Sequence, residues 1–250
     1  MNIQRIDYQE IDSTNLEAAR LATGGAAEGT LVVAKTQTAG RGRRGRQWDS
    51  PEGDAIYMSL ILRPQAEAAD VSGLTLVMAL SVAQALQQLQ LGGVQIKWPN
   101  DIVLNRKKLC GILTELHMEN RCVNDVIIGV GINVNQKCFA SEIESIATSI
   151  LIETGSGMDK DMLIDAVMEA FERNYAIYQK TYDMTNLMED YQAFLANCNQ
   201  EVRVLNPKGE YEGIALGINL RGELLVRKQD GTIETVYAGE VSVRGIYGYI

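Results

Sequence analysis

Histidine is nearly absent from this 250-residue chain, with His117 as the single example. That excludes His-rich metal centres and leaves one candidate base for Ser-His or Cys-His chemistry. His117 sits in Leu113-Thr114-Glu115-Leu116-His117-Met118, where strand alternation turns it away from the leucines toward solvent, so familiar hydrolase chemistry loses its support. The four cysteines, Cys110, Cys122, Cys138 and Cys198, form no C-x-x-C pair. Neither a zinc knuckle nor a disulfide framework is indicated. Long apolar runs are missing too: 74–83 and 126–134 are about half the length of a membrane span. The first 15 residues have no apolar core of a secretory signal, which makes the cytoplasm the default location. Basic charge is also scarce, with 23 Lys and Arg against 32 Asp and Glu for a net −9, and this disfavours a general polyanion binder.

What remains is an ordinary globular composition, 46% apolar and 22% charged, enough to bury at least one full core. Thr14-Asn15-Leu16-Glu17 reads as a capping box opening a short helix. Strands are expected at 31–36 and 55–62 with a long loop between them. The apolar spacing over 71–89 predicts a helix ending near Gly92-Gly93. Four strands follow at 94–98, 102–104, 108–118 and 123–133, the last two as a hairpin, and helices are expected at 159–178 and 186–197. From 200 onward five short strands, at 202–205, 213–217, 223–227, 233–237 and 241–244, alternate with Gly, Pro and Asp turns. The pattern implies an α+β protein, a mixed β-sheet flanked by helices over 1–198, with a small C-terminal β-barrel over 199–250.

The most unusual segment is Gly40-Arg41-Gly42-Arg43-Arg44-Gly45-Arg46, which with Lys35 holds five of the chain's 23 basic residues. Glycines let backbone amides approach an anion, and arginine forks bind phosphate or carboxylate in pairs. The run satisfies G-x-G-x-x-G but opens no helix, so the dinucleotide fingerprint fails its context, and no P-loop is present. The loop is read as a solvated basic segment, a nucleic-acid patch, or an anion clamp over a small ligand, and Trp48 beside it as a base-stacking surface or a core anchor. Lys97-Trp98-Pro99-Asn100-Asp101 places two polar residues at a strand end, as a ligand site or a simple turn. Lys108 stands at the mouth of a strand three residues before Gly111, and Gly129-Val130-Gly131-Ile132-Asn133 offers bare backbone on the partner strand, against which a flat ligand or a bulge would fit.

Taken together, Ser13-Thr14-Asn15, the loop 37–48, Lys97-Trp98-Pro99-Asn100-Asp101, Lys108-Leu109-Cys110-Gly111-Ile112-Leu113 and 129–133 resemble the biotin protein ligases in order and spacing, over essentially the whole chain. The resemblance implies a class II aminoacyl-tRNA-synthetase-like catalytic domain. It also implies two reactions, formation of biotinyl-5′-AMP from biotin and Mg2+-ATP, then transfer of biotin to a lysine of a carboxylase carrier domain. Residues matched to biotin binding are Ser13, Thr14, Asn15, Gln37, Gly40, Arg41, Gly42, Arg43, Arg44, Lys108, Gly111, Leu113 and Gly129. Those matched to ATP are Arg41, Arg43, Arg46, Trp48, Asn100, Lys108, Asn133 and Arg244. Lys108, Arg43 and Asp101 would carry the chemistry, and a dedicated metal site is unknown. Which of Ser13 and Thr14 caps the helix and which serves the ligand stays open. Because the ligase pattern starts by Ser13, no operator-reading domain, specific DNA binding or membrane partner is expected, and homodimerisation is left open. The competing readings are a lipoate ligase, a nucleic-acid-binding protein using the arginine loop, and a catalytically dead sensor of the adenylate, the last disfavoured by the presence of Arg43, Asp101 and Lys108.

Overall fold

The computed structural model describes residues 1–50, 53–120, 122–205, 209–238 and 242–245. They divide into two compact units, Met1–Val71 with Leu109–Ala166, and Ser72–Lys108 with Val167–Ile250.

The first unit is built on β1 (Gln4–Ile11), α1 (Thr14–Thr23), β2 (Thr30–Gln37), β3 (Ala55–Leu62), and the hairpin of β6 (Lys107–Glu119) and β7 (Cys122–Asn133). Its strands lie in the order β1-β2-β3-β7-β6; β1 runs parallel to β2, and the other pairs are antiparallel. Every residue of β3 is buried, as its unbroken apolar run requires. α1 lays Ala18 and Ala22 on Val32, Ile61 and Ile127, and these small residues let the helix approach the sheet closely. β1 was not expected as a strand: it is an edge strand, mostly exposed, and its polar sequence carries no core face to read. The short helix α4 (Ile150–Thr154) was missed as well. Ser149 caps it by accepting from the Ile152 amide at 3.1 Å, and Gly155 closes it at φ +72°.

The second unit holds α3 (Gly73–Gln88), the hairpin of β4 (Val94–Lys97) and β5 (Asp101–Leu104), most of α5 (Lys160–Tyr178), α6 (Met188–Phe194), and strands β8 (Glu201–Leu205), β9 (Tyr211–Ile218), β10 (Leu224–Lys228), β11 (Ile233–Val236) and β12 (Ser242–Gly245). The helix expected over 71–89 is interrupted, α2 (Ala68–Val71) preceding α3. Residues 68–88 are long and apolar enough to cross a membrane, which the apolar-run reading did not anticipate, yet 72% of their most apolar window is buried, as in a core helix. Asn174 on α5 donates to Ser81 and Gln84 on α3, 2.9 Å each, satisfying the polar groups buried there. Between β4 and β5 the chain turns through Trp98, a cis peptide, Pro99 and Asn100. Trp98 is buried, its amide donating to Asn197 Oδ1 and its indole to the Gly222 carbonyl, both at 2.9 Å. The C-terminal strands form a separate antiparallel sheet in the order β11-β10-β9-β8-β12, with no pair closing it into a barrel among the described residues.

Candidate active site

In the first unit, the Ser13-Thr14-Asn15 corner opens α1, but not as a capping box. The N-cap is Ser13, whose hydroxyl makes no capping bond, and Glu17 turns instead to Tyr8 and Arg20. The orphan Thr14 amide donates to Gln37 Oε1 at 2.8 Å, an acceptor 23 residues away, and the Thr14 hydroxyl joins it at 3.1 Å. Because tertiary structure supplies the cap, the local motif is not used.

From this corner a chain of hydrogen bonds runs both ways through the unit. Ser59 of β3 lies against the Thr14 hydroxyl at 2.8 Å and donates to Asn15 Oδ1 at 2.6 Å. Asn15 Nδ2 donates to Glu115 at 2.7 Å and leans on the Leu113 carbonyl at 3.4 Å. In the other direction Gln37 Nε2 donates to Ser50 at 2.9 Å, and the Ser50 hydroxyl reaches the Trp48 carbonyl at 3.1 Å. Thr14, Asn15 and Ser59 are all nearly inaccessible to water, where an unmatched polar group would be costly, so these mutual bonds keep a buried polar network satisfied.

The Gly/Arg loop folds back on itself. Trp48 donates its amide to Gly40 at 2.9 Å, Gly42 to Arg46 at 2.7 Å, and Arg41 bridges Gln47. A single 3-10 turn, Arg43–Gly45, forms its tip, where Arg44 and Gly45 take positive φ of 59° and 71°. Residues 38–42 and 45–47 line an open cavity of about 310 Å³. Gly40 has no room for a side chain, since a Cβ would stand 2.4 Å from the Trp48 carbonyl. Arg41 reaches back to Glu115 with both ends of its fork, at 3.0 and 3.3 Å, while Arg44 and Arg46 face solvent.

The glycines of β6 and β7 have a use that bulges would not give them. Gly111 pairs with Gly131, and Leu113 with Gly129, so three of these four facing positions form a lane with no side chain of their own. A Cβ on Gly129 would fall 1.9 Å from Asn15 Oδ1, and one on Gly131 would fall 2.7 Å from the Trp48 indole. Trp48 is therefore half-buried, its ring laid on β7, between the two expectations of stacking surface and core anchor. Beneath the loop's end, burial above all, reinforced by Asp49 and Asp54, holds the Tyr57 phenol above its ordinary range. Asn133, at the end of β7, donates to the Thr148 carbonyl at 3.0 Å and accepts from Gln136 at 3.1 Å, which ties down the segment after the strand.

The second unit carries Asn100, Asp101 and Lys108. Lys108 Nζ stands 2.7 Å from Asp101 Oδ1, both largely buried, and Asn100 donates to the same oxygen at 3.2 Å. Lys108 is thus a cation already held by a carboxylate, rather than a freely swinging side chain. Arg244 lies in β12, and its side chain is outside the described residues. The residues that sequence reasoning did not name are Glu115, Ser59 and Ser50. Glu115 stands in a strand with other polar residues, Ser59 in an apolar strand and Ser50 in a polar loop, and only the packing shows that they join one network.

The Biotin/lipoate A/B protein ligase family matches residues 6–133, and the Biotin protein ligase C terminal domain matches residues 198–244. This chain belongs to the biotin protein ligase family. It is similar to the bifunctional ligase/repressor BirA of Bacillus subtilis, at 39% identity over 96% of this chain and 74% of that protein. The biotin--[acetyl-CoA-carboxylase] ligase of Paracoccus denitrificans is 35% identical over 94% of this chain and 98% of its own length. Among solved structures, the biotin protein ligase from Aquifex aeolicus in complex with biotin and ATP shares the fold with a TM-score of 0.85, at 31% identity, covering 97% of this chain and 99% of that one.

Proposed function

We propose that this chain activates biotin with ATP and transfers it to a lysine of a biotin carboxyl carrier protein or domain. In the first step a biotin carboxylate oxygen attacks the α-phosphorus of ATP, giving biotinyl-5′-AMP and releasing pyrophosphate. In the second, the neutral amine of the acceptor lysine attacks the acyl carbon, an amide bond forms and AMP leaves. The observation that carries this reading is the buried chain Asn15–Ser59–Thr14–Gln37, taken as one wall of the ligand site, beside Gly129 and Gly131 of β7, over which Asn15 and Trp48 lie. A flat, uncharged ring with donors and acceptors on its rim, such as the ureido ring of biotin, matches such a wall.

In this reading Ser13, Thr14, Asn15 and Gln37 address the ureido ring, with Gly40, Gly42, Gly111, Leu113 and Gly129 shaping the space around it. Arg41, Arg43 and Lys108 neutralise the two anions that must be brought together, and Arg44 and Arg46 add to the field of the loop. Asp101, which holds Lys108, orients the incoming lysine in this reading. Trp48, Asn100, Asn133 and Arg244 serve the nucleotide. The Mg2+ that accompanies ATP would be held mainly by the phosphates, as is usual for this ion, and its chemistry is to neutralise their charge. Residues 1–198 are taken as the catalytic part and 199–250 as a small C-terminal domain, a division supported by the two family matches. With a net charge of −9, the chain would bind DNA only weakly and through the arginine loop, and the cytoplasm, where carrier proteins are made, is the proposed location.

The decisive experiment incubates the chain with a carrier domain, ATP, Mg2+ and either biotin or lipoate, and weighs the carrier by mass spectrometry. A biotin-dependent gain on one lysine is expected. Modification by lipoate with none by biotin would assign the site to the other branch of the family.

A further inference from the structure

We propose that Glu115 is a positioning residue that ties the Gly/Arg loop, through Arg41, to the pocket chain at Asn15. This deepens the ligase reading and rests on it for the identity of the ligand, but the tie itself is a property of the free protein. The carboxylate on β6 is shared: Oε2 accepts from Asn15 at 2.7 Å and from Arg41 at 3.3 Å, and Oε1 faces the other Arg41 nitrogen at 3.0 Å. About three-quarters of the Glu115 side chain is screened from water, which strengthens both contacts relative to a fully exposed pair.

The geometry gives the loop two anchors on one network. At its start, Arg41 is held by Glu115, which is bonded to Asn15. At its end, the Trp48 carbonyl is held by Ser50, which is bonded to Gln37. Asn15 and Gln37 are joined through Ser59 and Thr14, so the network runs from one end of the loop to the other. A ligand that competes for Asn15, Thr14 or Gln37 must rearrange bonds that also set the loop's two ends. Occupancy of the pocket is thereby felt at the arginines without any contact between them and the ring. Glu115 also keeps the guanidinium fork extended toward the pocket wall in place of an anionic ligand, so that Arg41 is poised rather than free in solvent.

Glu115→Gln separates the two contacts, because the amide oxygen still accepts from Asn15 while the negative charge opposite Arg41 is lost. Backbone amides of residues 40–48 should exchange about five- to tenfold faster in the ligand-free variant, the scale of one partly screened, charge-assisted contact. The loss in catalysis should fall on KM for biotin, by a similar factor, rather than on kcat. Glu115→Asp, which keeps the charge, should recover part of both effects. Combining Glu115→Gln with Arg41→Gln should speed loop exchange no further than the single changes do. Unchanged loop exchange in Glu115→Gln, or additive effects in the double variant, overturns the proposal, even where the variant melts at a lower temperature. Since the exchange experiment needs no ligand, failure of wild-type protein to biotinylate a carrier would refute the ligase reading and leave this result to stand or fall separately.

Discussion

The proposed reaction brings two anions together, and Lys108 and Arg43 are the side chains assigned to neutralise and hold them. Lys108 is already paired with Asp101 at 2.7 Å, so its ammonium is positioned before any substrate arrives. In the proposed reaction, Lys108→Ala should lower the rate of adenylate formation by about 10² to 10³-fold, the usual loss of one preorganised charge donor. Pyrophosphate release measures it, and a near-normal rate would remove Lys108 from the chemistry. Arg43 belongs to the tip of the loop, in the 3-10 turn. Arg43→Gly should leave adenylation possible while weakening the hold on the adenylate, which then escapes and acylates bystander lysines. Biotin appearing on an unrelated protein mixed with the variant is the expected result; labelling no higher than with wild type would count against a clamp. The capping box shows the limit of reading residues locally. Thr14 and Glu17 have the right spacing, yet Gln37, far along the chain, supplies the acceptor, and no local pattern announces that.

Among the elements, β7 ties the glycine pattern to the pocket. Gly129 and Gly131 point to one face of the strand, and each is closed over by a side chain from elsewhere, Asn15 and Trp48. Gly129→Ala must push Asn15 off both Ser59 and Glu115, so a stability loss of about 1–3 kcal/mol is expected together with a sharp rise in KM for biotin. Gly131→Ala displaces the indole instead, and should raise KM for ATP more than KM for biotin. Thermal melts with steady-state kinetics on both substrates separate the two, and identical kinetic signatures would contradict the division of the lane. At this scale the sequence was informative where burial is continuous. β3 is wholly buried and was read with its observed ends, and α3 and the β6–β7 hairpin were legible from period and turn residues. β1 was not, because an exposed edge strand has no apolar face, and the bonds that make it a strand are supplied by β2. The arginine loop and the glycines announced themselves by composition, whereas Glu115, Ser59 and Ser50 are ordinary residues whose importance comes only from what they touch.

For the whole molecule, the distribution of the proposed ligand contacts predicts a thermodynamic signature. The residues assigned to the ureido ring, Ser13 to Asn15 and Gln37 with Gly129, all belong to the first unit, and their bonds span α1, β2, β3 and β6. A ligand that binds the folded form alone stabilises it by mass action, about 2.7 kcal/mol at a hundred times its Kd. For a chain of this size that corresponds to a rise of about 5–10 °C in the melting transition. Biotin should produce this shift and lipoate should not, because lipoate has no ureido group to meet Thr14, Asn15 and Gln37. Two compact units also make a single two-state transition a poor expectation, so the gain should be sought by hydrogen exchange on β2, β3 and β7 as well as by calorimetry. Equal stabilisation by biotin and lipoate would show that the pocket wall reads the acyl chain and carboxylate rather than the ring, and would shift the assignment of Thr14, Asn15 and Gln37 from recognition of the ligand to support of the loop.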